Sequence, residues 1–173
     1  MRVVAGEFKG RRLHAPRGAG TRPTADRVRE ALFSILGDVS GARVLDLYAG
    51  SGALGIEALS RGAASALFVE RDRRALAALR RNLDAVGVDA EVRTQDALRF
   101  ITRPEGVFDL VFCDPTYDEA SRVAAPLSEA LPAMLEEDAR IVTESDKRNP
   151  LILPLPLVVE RTYGDTRIAI HST

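Results

Sequence analysis

The chain has 173 residues, of which 46% are hydrophobic, and its formal net charge is −1. This length accommodates one domain with a hydrophobic core and excludes a second large domain. The single cysteine, Cys113, excludes an internal disulfide, and together with two histidines it cannot form an ordinary structural zinc site.

No stretch of the sequence has the character of a membrane span or an export signal. The first residues lack the apolar core of a signal peptide, and no apolar run approaches the ~18 residues of a membrane span. With one cysteine in the chain, a reducing compartment is the simplest location. We therefore expect a cytoplasmic protein with no metal site and no membrane partner.

The first 29 residues are strongly basic, with eight lysines and arginines against Glu7 and Asp26, or +6, so that the remainder is near −7. Such a basic end fits binding to a polyanion, with RNA as the best candidate, although a solvated tail would have the same charge. Apolar residues are interleaved with the basic ones on both sides of residues 6–10, which begin and end with glycine. This pattern predicts a short hairpin whose turn presents Lys9, followed by Arg11 and Arg12.

A helix is predicted to begin after Thr24, a residue type that favours the N-cap position. Its apolar residues recur at helical spacing and predict one buried stripe: Val28, Leu32, Ile35 and Leu36. Arg27 and Arg29 are expected on the charged face. The loop before the helix is rich in glycine and proline, and it marks the predicted boundary between a basic extension (1–23) and the main domain (24–173).

An apolar strand, a glycine turn and a helix follow in residues 44–61. The turn reads Gly-Ser-Gly-Ala-Leu-Gly from residue 50, and glycine there permits a positive φ and lets a ligand touch the backbone. The spacing alone also fits an ordinary surface turn. A second strand ends at Glu70, about 20 residues after the first glycine, where an acid commonly holds a ribose diol. Asp46, near the end of the first strand, would repel a pyrophosphate and so favours a cofactor that carries a cation.

Helices and strands alternate through the rest of the chain. The pattern predicts helices at 72–86, 97–101 and 119–131, and strands at 90–94, 107–113, 139–144, 158–161 and 167–171. The strand at 107–113 is a nearly continuous apolar run, which is typical of a strand buried on both faces of a parallel sheet. In an open, doubly wound sheet, the ends of the first and fourth strands border the crevice where the strand order reverses. The glycine turn and residues 114–117 are therefore expected to meet there.

The glycine turn with its preceding Asp-Leu-Tyr-Ala, and the sequence Asp-Pro-Thr-Tyr at 114–117, resemble two motifs of S-adenosylmethionine-dependent methyltransferases. The resemblance is closest to the bacterial enzymes that methylate a guanine N2 in small-subunit (16S) ribosomal RNA, and it covers nearly the whole chain. It implies a Rossmann-like class I methyltransferase fold of the α/β class, with a mostly parallel twisted sheet, helices on both faces, a C-terminal antiparallel hairpin and a small N-terminal β-hairpin extension.

The resemblance also implies S-adenosyl-L-methionine as the cofactor, with S-adenosyl-L-homocysteine as its product. The implied partner is small-subunit ribosomal RNA or the assembling small subunit, and the implied state is a monomer. The residues that match the cofactor site of the family, with those next to them, are Asp46, Tyr48, Gly50, Ser51, Gly52, Gly55, Glu70, Arg71, Asp96, Ala97 and Asp114.

Two groups of the residues that match the family could instead have ordinary structural roles. In the family, the acid matched by Asp96 accepts a hydrogen bond from the adenine amine, and the following small residue, Ala97, lets the ring lie flat, whereas Asp96 could also be an N-cap. Arg22, Thr24 and Arg27 match the entry segment that borders the substrate cleft, and they join Lys9, Arg11 and Arg12 as expected RNA contacts. Thr24 could instead only cap its helix, and the two arginines could be plain surface charge.

Asp114, Pro115 and Tyr117 are the expected catalytic residues. An exocyclic amine is a poor nucleophile, and the Asp114 carboxylate and Pro115 carbonyl would hold its two N–H groups so that the lone pair points at the methyl donor. Tyr117 offers a face on which the base would stack. The family motif has a second proline where this chain has Thr116, so the restraint that this proline places on the preceding residue is lost.

Other functions fit parts of the sequence. A DNA adenine-N6 methyltransferase has a motif of the same kind, but this chain is small and has no recognisable target-recognition domain. A catalytically lapsed RNA- or nucleotide-binding module is suggested only by Thr116. An NAD-dependent oxidoreductase is disfavoured by Asp46.

Overall fold

The computed structural model describes residues 1–16, 26–116 and 119–173. These residues form five α-helices: α1 (Asp26–Leu36), α2 (Ala53–Ser60), α3 (Arg73–Val86), α4 (Ala97–Ile101) and α5 (Ala120–Ala130). They also form seven strands: β1 (Arg43–Leu47), β2 (Ser65–Glu70), β3 (Glu91–Thr94), β4 (Phe108–Cys113), β5 (Leu135–Asp146), β6 (Leu157–Tyr163) and β7 (Thr166–Ser172). Three of the expected site residues, Arg22, Thr24 and Tyr117, lie outside the described residues.

The seven strands form one sheet in the order β3-β2-β1-β4-β5-β7-β6. Strands β1 to β5 are mutually parallel, and β7 lies antiparallel between β5 and β6. The strand order reverses between β1 and β4, which pair directly with Leu47 opposite Cys113. This topology confirms the predicted Rossmann-like α/β fold with its C-terminal antiparallel hairpin. Strand β5 is longer than predicted because its pairing with β7 continues to Asp146, opposite Thr166.

Helices cover both faces of the sheet, as predicted. Apolar residues of α1, α2 and α3 pack on one face with Phe68 and Phe112, while those of α4 and α5 pack on the other with Leu45 and Val111. The alternation follows from the pleat, which sends successive side chains of each strand to opposite faces. In the described part of the chain, no helix is both long enough and apolar enough to cross a membrane.

The N-terminal segment forms the predicted hairpin, although only one antiparallel bridge joins its arms, between Arg2 and Arg12. Its apolar side chains are buried in the same core as α1, α2 and α3: Val3, Phe8 and Leu13. The backbone N–H of Glu7 donates to the carbonyl oxygen of Ser60 at 2.7 Å, and that of Phe8 donates to the Ser60 hydroxyl at 2.9 Å. The hairpin is therefore packed against α2, and the predicted domain boundary at residue 23 falls outside the described residues.

The prediction that Arg29 lies on the charged face of α1 was wrong. Its side chain is fully buried, with Nε 3.4 Å from Glu57 Oε2 and Nη2 3.0 Å from Asp26 Oδ1. Arg29 also donates to the carbonyl oxygen of Arg2. The physical reason is that Arg29 belongs to the same helical stripe as Leu32, Phe33 and Leu36, and a buried guanidinium is tolerated when carboxylates and carbonyl oxygens accept its N–H groups.

Candidate active site

The glycine turn between β1 and α2 contains glycines that are required for different reasons. Gly50 and Gly52 have φ values of 57° and 77°, a region that other residues rarely adopt. A Cβ on Gly52 would lie 2.3 Å from Leu79 Cδ1, and one on Gly55 would lie 2.4 Å from Phe68 Cε1. A Cβ on Gly50 would have no neighbour closer than 3.9 Å. Packing therefore explains Gly52 and Gly55, whereas at Gly50 the positive φ favours glycine and a Cβ would make only an ordinary contact with the Tyr48 carbonyl oxygen.

Glu70, at the end of β2, holds the glycine turn in place. Its carboxylate accepts hydrogen bonds from the backbone N–H of Gly50 at 2.8 Å and from those of Arg71 and Asp72 at 2.7 Å each. The acid thus lies beside the first glycine, as the sequence spacing indicated. A carboxylate has about four lone-pair sites, so these three bonds leave room for a ribose hydroxyl to donate to it as well.

Asp46 is buried behind the turn and faces α2. Its Oδ2 atom accepts a hydrogen bond from the Gly55 N–H at 3.0 Å, and burial raises the pKa of Asp46 to about 8. Burial, which the sequence does not show, therefore opposes the negative charge of Asp46. The expectation that this charge selects a cationic cofactor stays a prediction.

Tyr48 and Ser51 complete the turn. Tyr48 follows β1 with a φ of 60°, which is uncommon for a residue with a bulky side chain and often marks a functional loop. Its side chain is half-buried, and burial raises the pKa of its hydroxyl. The carbonyl oxygen of Ser51 accepts a hydrogen bond from Asn82 Nδ2 at 2.8 Å, which ties the turn to α3.

Asp114 follows β4 at the point where β4 lies beside β1. Cys113, the residue before it, pairs with Leu47, so the start of the Asp-Pro-Thr motif and the glycine turn share one edge of the sheet. Burial raises the pKa of Asp114 well above its ordinary range, and the neighbouring carboxyls of Glu144 and Asp46 raise it further. Pro115 is buried and Thr116 is exposed. The structure thus places Asp114 and the glycine turn at the same, carboxyl edge of the sheet. That they line one crevice stays a prediction.

Glu144 is a site residue that sequence reasoning missed. It lies near the end of β5, directly after Thr143, which pairs with Cys113 of β4. Asp114 and Glu144 therefore each follow a paired position on two adjacent parallel strands, where neighbouring chains are about 4.8 Å apart. The sequence placed Glu144 in a predicted strand at 139–144, but only the strand pairing brings it beside Asp114.

Three charged residues form a network along the carboxyl edge of the sheet. Arg71 Nη1 lies 2.6 Å from Asp96 Oδ2, and Arg71 Nη2 lies 2.5 Å from Glu119 Oε1. Asp96 also caps α4, because its Oδ1 accepts from the Arg99 N–H at 3.2 Å, and Ala97 beside it is buried. The capping alternative for Asp96 is therefore confirmed, and the carboxylate still faces the edge where a cofactor would lie. Glu119 was not foreseen as a member of this site.

The basic residues are distributed over more than one region. Lys9, Arg12 and Arg27 are exposed, whereas Arg11 Nη1 donates to the Ala85 carbonyl oxygen at 2.7 Å. The turn with Lys9 packs on Ser60, the last residue of α2, while the glycine turn precedes the first. An eight-residue helix is about 12 Å long, so Lys9 lies well away from the glycine turn.

Two further observations limit the chemistry of the site. Cys113 is buried, and burial raises the pKa of its thiol, so it is not a reactive thiolate. In the ranges that the structure describes, no three histidine, cysteine, aspartate or glutamate side chains are grouped so that they could hold a metal ion.

Known proteins resemble this chain in sequence and in fold. The chain is 37% identical over 174 residues to the ribosomal RNA small subunit methyltransferase D of Haemophilus influenzae, with 95% of this chain and 89% of that protein covered. It is 38% identical over 158 residues to the protein of the same name from Escherichia coli K12, with 87% and 77% covered. The solved structure of a hypothetical protein from Thermus thermophilus superposes with a TM-score of 0.83 at 31% identity, covering 100% of this chain and 99% of that one.

A model of the protein family described as conserved hypothetical protein 95 matches residues 1–172. The match includes the glycine turn, Glu70, Asp96 and the Asp-Pro-Thr motif, and it leaves out only the last residue of the chain. The chain therefore belongs to the conserved hypothetical protein 95 family.

Proposed function

We propose that this protein transfers a methyl group from S-adenosyl-L-methionine to the exocyclic N2 of a guanine in small-subunit ribosomal RNA. The observation that supports the proposal is the direct pairing of β1 with β4, after which Gly50 and Asp114 follow at one edge of the sheet. The names of the relatives support ribosomal RNA as the substrate class. The choice of an exocyclic amine rests on the chemistry of Asp114 and Pro115 and on the resemblance of their motif.

The residues at the crevice fit this cofactor. The Gly50 backbone, the Glu70 carboxylate beside it and the Asp96 carboxylate after the end of β3 follow the strand order β1, β2, β3 along one edge. Glu70 would hold the ribose hydroxyls, and Asp96 with Ala97 would hold the adenine. When bound, the cofactor supplies an electrophilic methyl group on a positively charged sulfur.

Asp114 and Pro115 would prepare the acceptor. The carboxylate of Asp114 and the carbonyl oxygen of Pro115 would each accept one N–H of the amine, which directs the lone pair of the nitrogen out of the base plane. As the nitrogen gains the methyl group it becomes positively charged, and the Asp114 carboxylate stabilises this charge and takes the released proton. We propose Tyr117 as the stacking platform for the base, since it follows these residues directly in the sequence.

The exposed basic residues would position the RNA outside the crevice. Lys9, Arg12 and Arg27 are exposed, and phosphate contacts from such residues supply affinity without sequence specificity. Arg11 also donates through Nη1 to the Ala85 carbonyl oxygen of α3. Its contact with RNA phosphate would therefore come from the other N–H groups of the guanidinium. Arg22 and Thr24 are proposed as cleft residues from the family resemblance.

One assay tests the proposal against its competitors. The protein is incubated with methyl-labelled cofactor and with small ribosomal subunits, naked ribosomal RNA or duplex DNA, and the nucleosides are identified by mass spectrometry. We expect N2-methylguanine from one of the RNA substrates, and an Asp114→Asn variant that loses roughly 10²-fold or more in turnover while it still binds S-adenosylhomocysteine. N6-methyladenine as the product, or bound cofactor with no methylation of any substrate, would contradict the proposal.

A further inference from the structure

Glu119 connects two parts of the crevice that the proposed function treats separately. Its Oε2 atom accepts a hydrogen bond from the Thr116 hydroxyl at 2.7 Å, and its Oε1 atom lies 2.5 Å from Arg71 Nη2. Thr116 belongs to the Asp-Pro-Thr motif that would hold the acceptor base. Arg71 directly follows Glu70, the residue that would hold the ribose.

The same network continues to the adenine end of the crevice. Arg71 uses its second terminal nitrogen to bind Asp96 Oδ2 at 2.6 Å. In the strand order β3-β2-β1-β4, the path from Thr116 through Glu119 and Arg71 to Asp96 crosses the carboxyl edge of the sheet from the end of β4 to the end of β3. The position of the acceptor loop is thus linked by side chains to the position of the proposed adenine acceptor.

The backbone near Thr116 strengthens this link. The Thr116 carbonyl oxygen accepts from the N–H groups of Glu119 at 2.9 Å and Ala120 at 3.1 Å, so the residue is fixed to the start of α5 by its main chain and its side chain. A second proline at this position would restrict the backbone of Pro115 directly. Thr116 does not restrict the backbone of Pro115 in this way. Its hydrogen bond to Glu119 restrains the loop from the C-terminal side instead.

The ion pair between Arg71 and Glu119 lies at the surface, because the Arg71 side chain is 57% exposed and that of Glu119 is 21% exposed. Both oxygens of Glu119 nevertheless have a partner. Exposed ion pairs contribute little to stability. The main effect of these contacts would therefore be to align the acceptor loop with the cofactor. Reaction rates depend strongly on such alignment, whereas the stability of the fold does not.

We propose that Glu119 is a positioning residue of the methyl transfer, because it aligns the Asp-Pro-Thr loop through Thr116 and the adenosine end of the crevice through Arg71. This inference rests on the proposed function. It assigns Glu119 no contact with the reacting atoms, so its removal should slow the reaction through the geometry of Asp114 and Pro115.

The test compares single and double variants in the methylation assay and in calorimetric titration with S-adenosylhomocysteine. Thr116→Val removes only the hydroxyl contact, and Glu119→Gln removes the charge that holds Arg71. Thr116→Pro introduces the backbone restraint that the chain lacks. Glu136→Gln is the matched control, because Glu136 forms an Arg–Glu pair of similar length (2.6 Å, with Arg43) at the opposite, amino end of the strands.

We expect Thr116→Val to lower kcat about tenfold with little change in cofactor affinity, since only the acceptor loop is released. Glu119→Gln should lower kcat by a similar factor and should also weaken S-adenosylhomocysteine binding several-fold, because Arg71 loses a partner. The variant with both changes should be no slower than Glu119→Gln, since both break one path. Adding Thr116→Pro to Glu119→Gln should recover kcat but not cofactor affinity, and Glu136→Gln should match the wild type.

Equal kcat and cofactor affinity in Glu119→Gln and the wild type would overturn the inference and leave the proposed function intact. Additive losses in the double variant would overturn it too, because they would show two independent effects. Thermal unfolding of each variant separates a loss of alignment from a loss of fold. A wild-type protein that methylates no substrate would overturn the proposed function, and the inference with it.

Discussion

In the proposed reaction, Asp114 has to be negatively charged to accept the proton of the amine, yet its surroundings favour the neutral acid. Burial is the largest cause, and Glu144 and Asp46 add like charges on two neighbouring strands. Both effects raise the pKa of Asp114 far above the value of about 4 that is usual for an aspartate side chain. A carboxyl whose pKa is raised is a better proton acceptor, but it becomes charged only at a higher pH than an ordinary aspartate does.

We therefore expect the rate to rise with pH along an acid limb whose midpoint lies well above the ordinary aspartate pKa. Below the midpoint Asp114 is protonated and cannot accept from the amine, and above it the carboxylate form predominates. Glu144→Gln removes one like charge, so this midpoint should move to lower pH, as measured by kcat against pH. A midpoint that does not respond to Glu144→Gln would show that another group controls the acid limb.

Residues of the site that belong to short motifs were accessible from the sequence, whereas residues that act across the chain were not. Gly50, Glu70 and Asp114 follow from the spacing of a glycine turn and from the ends of apolar runs. The contacts of Arg71 with Glu119 and of Arg29 with Glu57 join residues 48 and 28 positions apart. No local pattern encodes such pairs, because they depend on how the strands are ordered and on which helix faces pack together.

A buried ion pair helps to hold the N-terminal segment in the fold. Glu57 of α2 accepts hydrogen bonds from the backbone N–H groups of Val4 at 2.8 Å and Ala5 at 3.0 Å, and it also pairs with Arg61 at 2.9 Å. Arg29 of α1 approaches the same carboxylate and binds the carbonyl oxygen of Arg2. Two helices and the basic segment are thus held together at a carboxylate that is fully buried.

Arg29→Met should destabilise the protein by about 3–5 kcal/mol, because it leaves the buried Glu57 without one of its cationic partners. The free energy of unfolding, measured by urea titration, checks this value. Arg27→Met is the matched control on the same helix, and as an exposed change it should stay within about 0.5 kcal/mol of the wild type. A loss for Arg29→Met no larger than that of the control would show that the ion pair has no net effect on stability.

On the scale of the whole molecule, the strand order brings the glycine turn after β1 and Asp114 after β4 to neighbouring positions. The helical and strand periodicities of the sequence predicted the helices and the seven strands in their order along the chain. They could do so because apolar stripes on helices and apolar runs in strands mark the surfaces that pack together. The position where the order reverses then fixes the neighbours, since β1 and β4 are far apart in sequence yet pair at Leu45 and Val111. Side-chain orientation at that edge, such as that of Asp46 toward α2, required the structure.

The central claim is that the methyl donor and the acceptor base meet between the glycine turn and Asp114. A crystal structure of the protein with S-adenosylhomocysteine tests it most directly. We expect the ribose hydroxyls at Glu70, the adenine beside Asp96 and the sulfur directed toward Asp114 and Pro115. A complex with the sulfur directed away from Asp114, or with the ligand bound outside this crevice, would contradict the account.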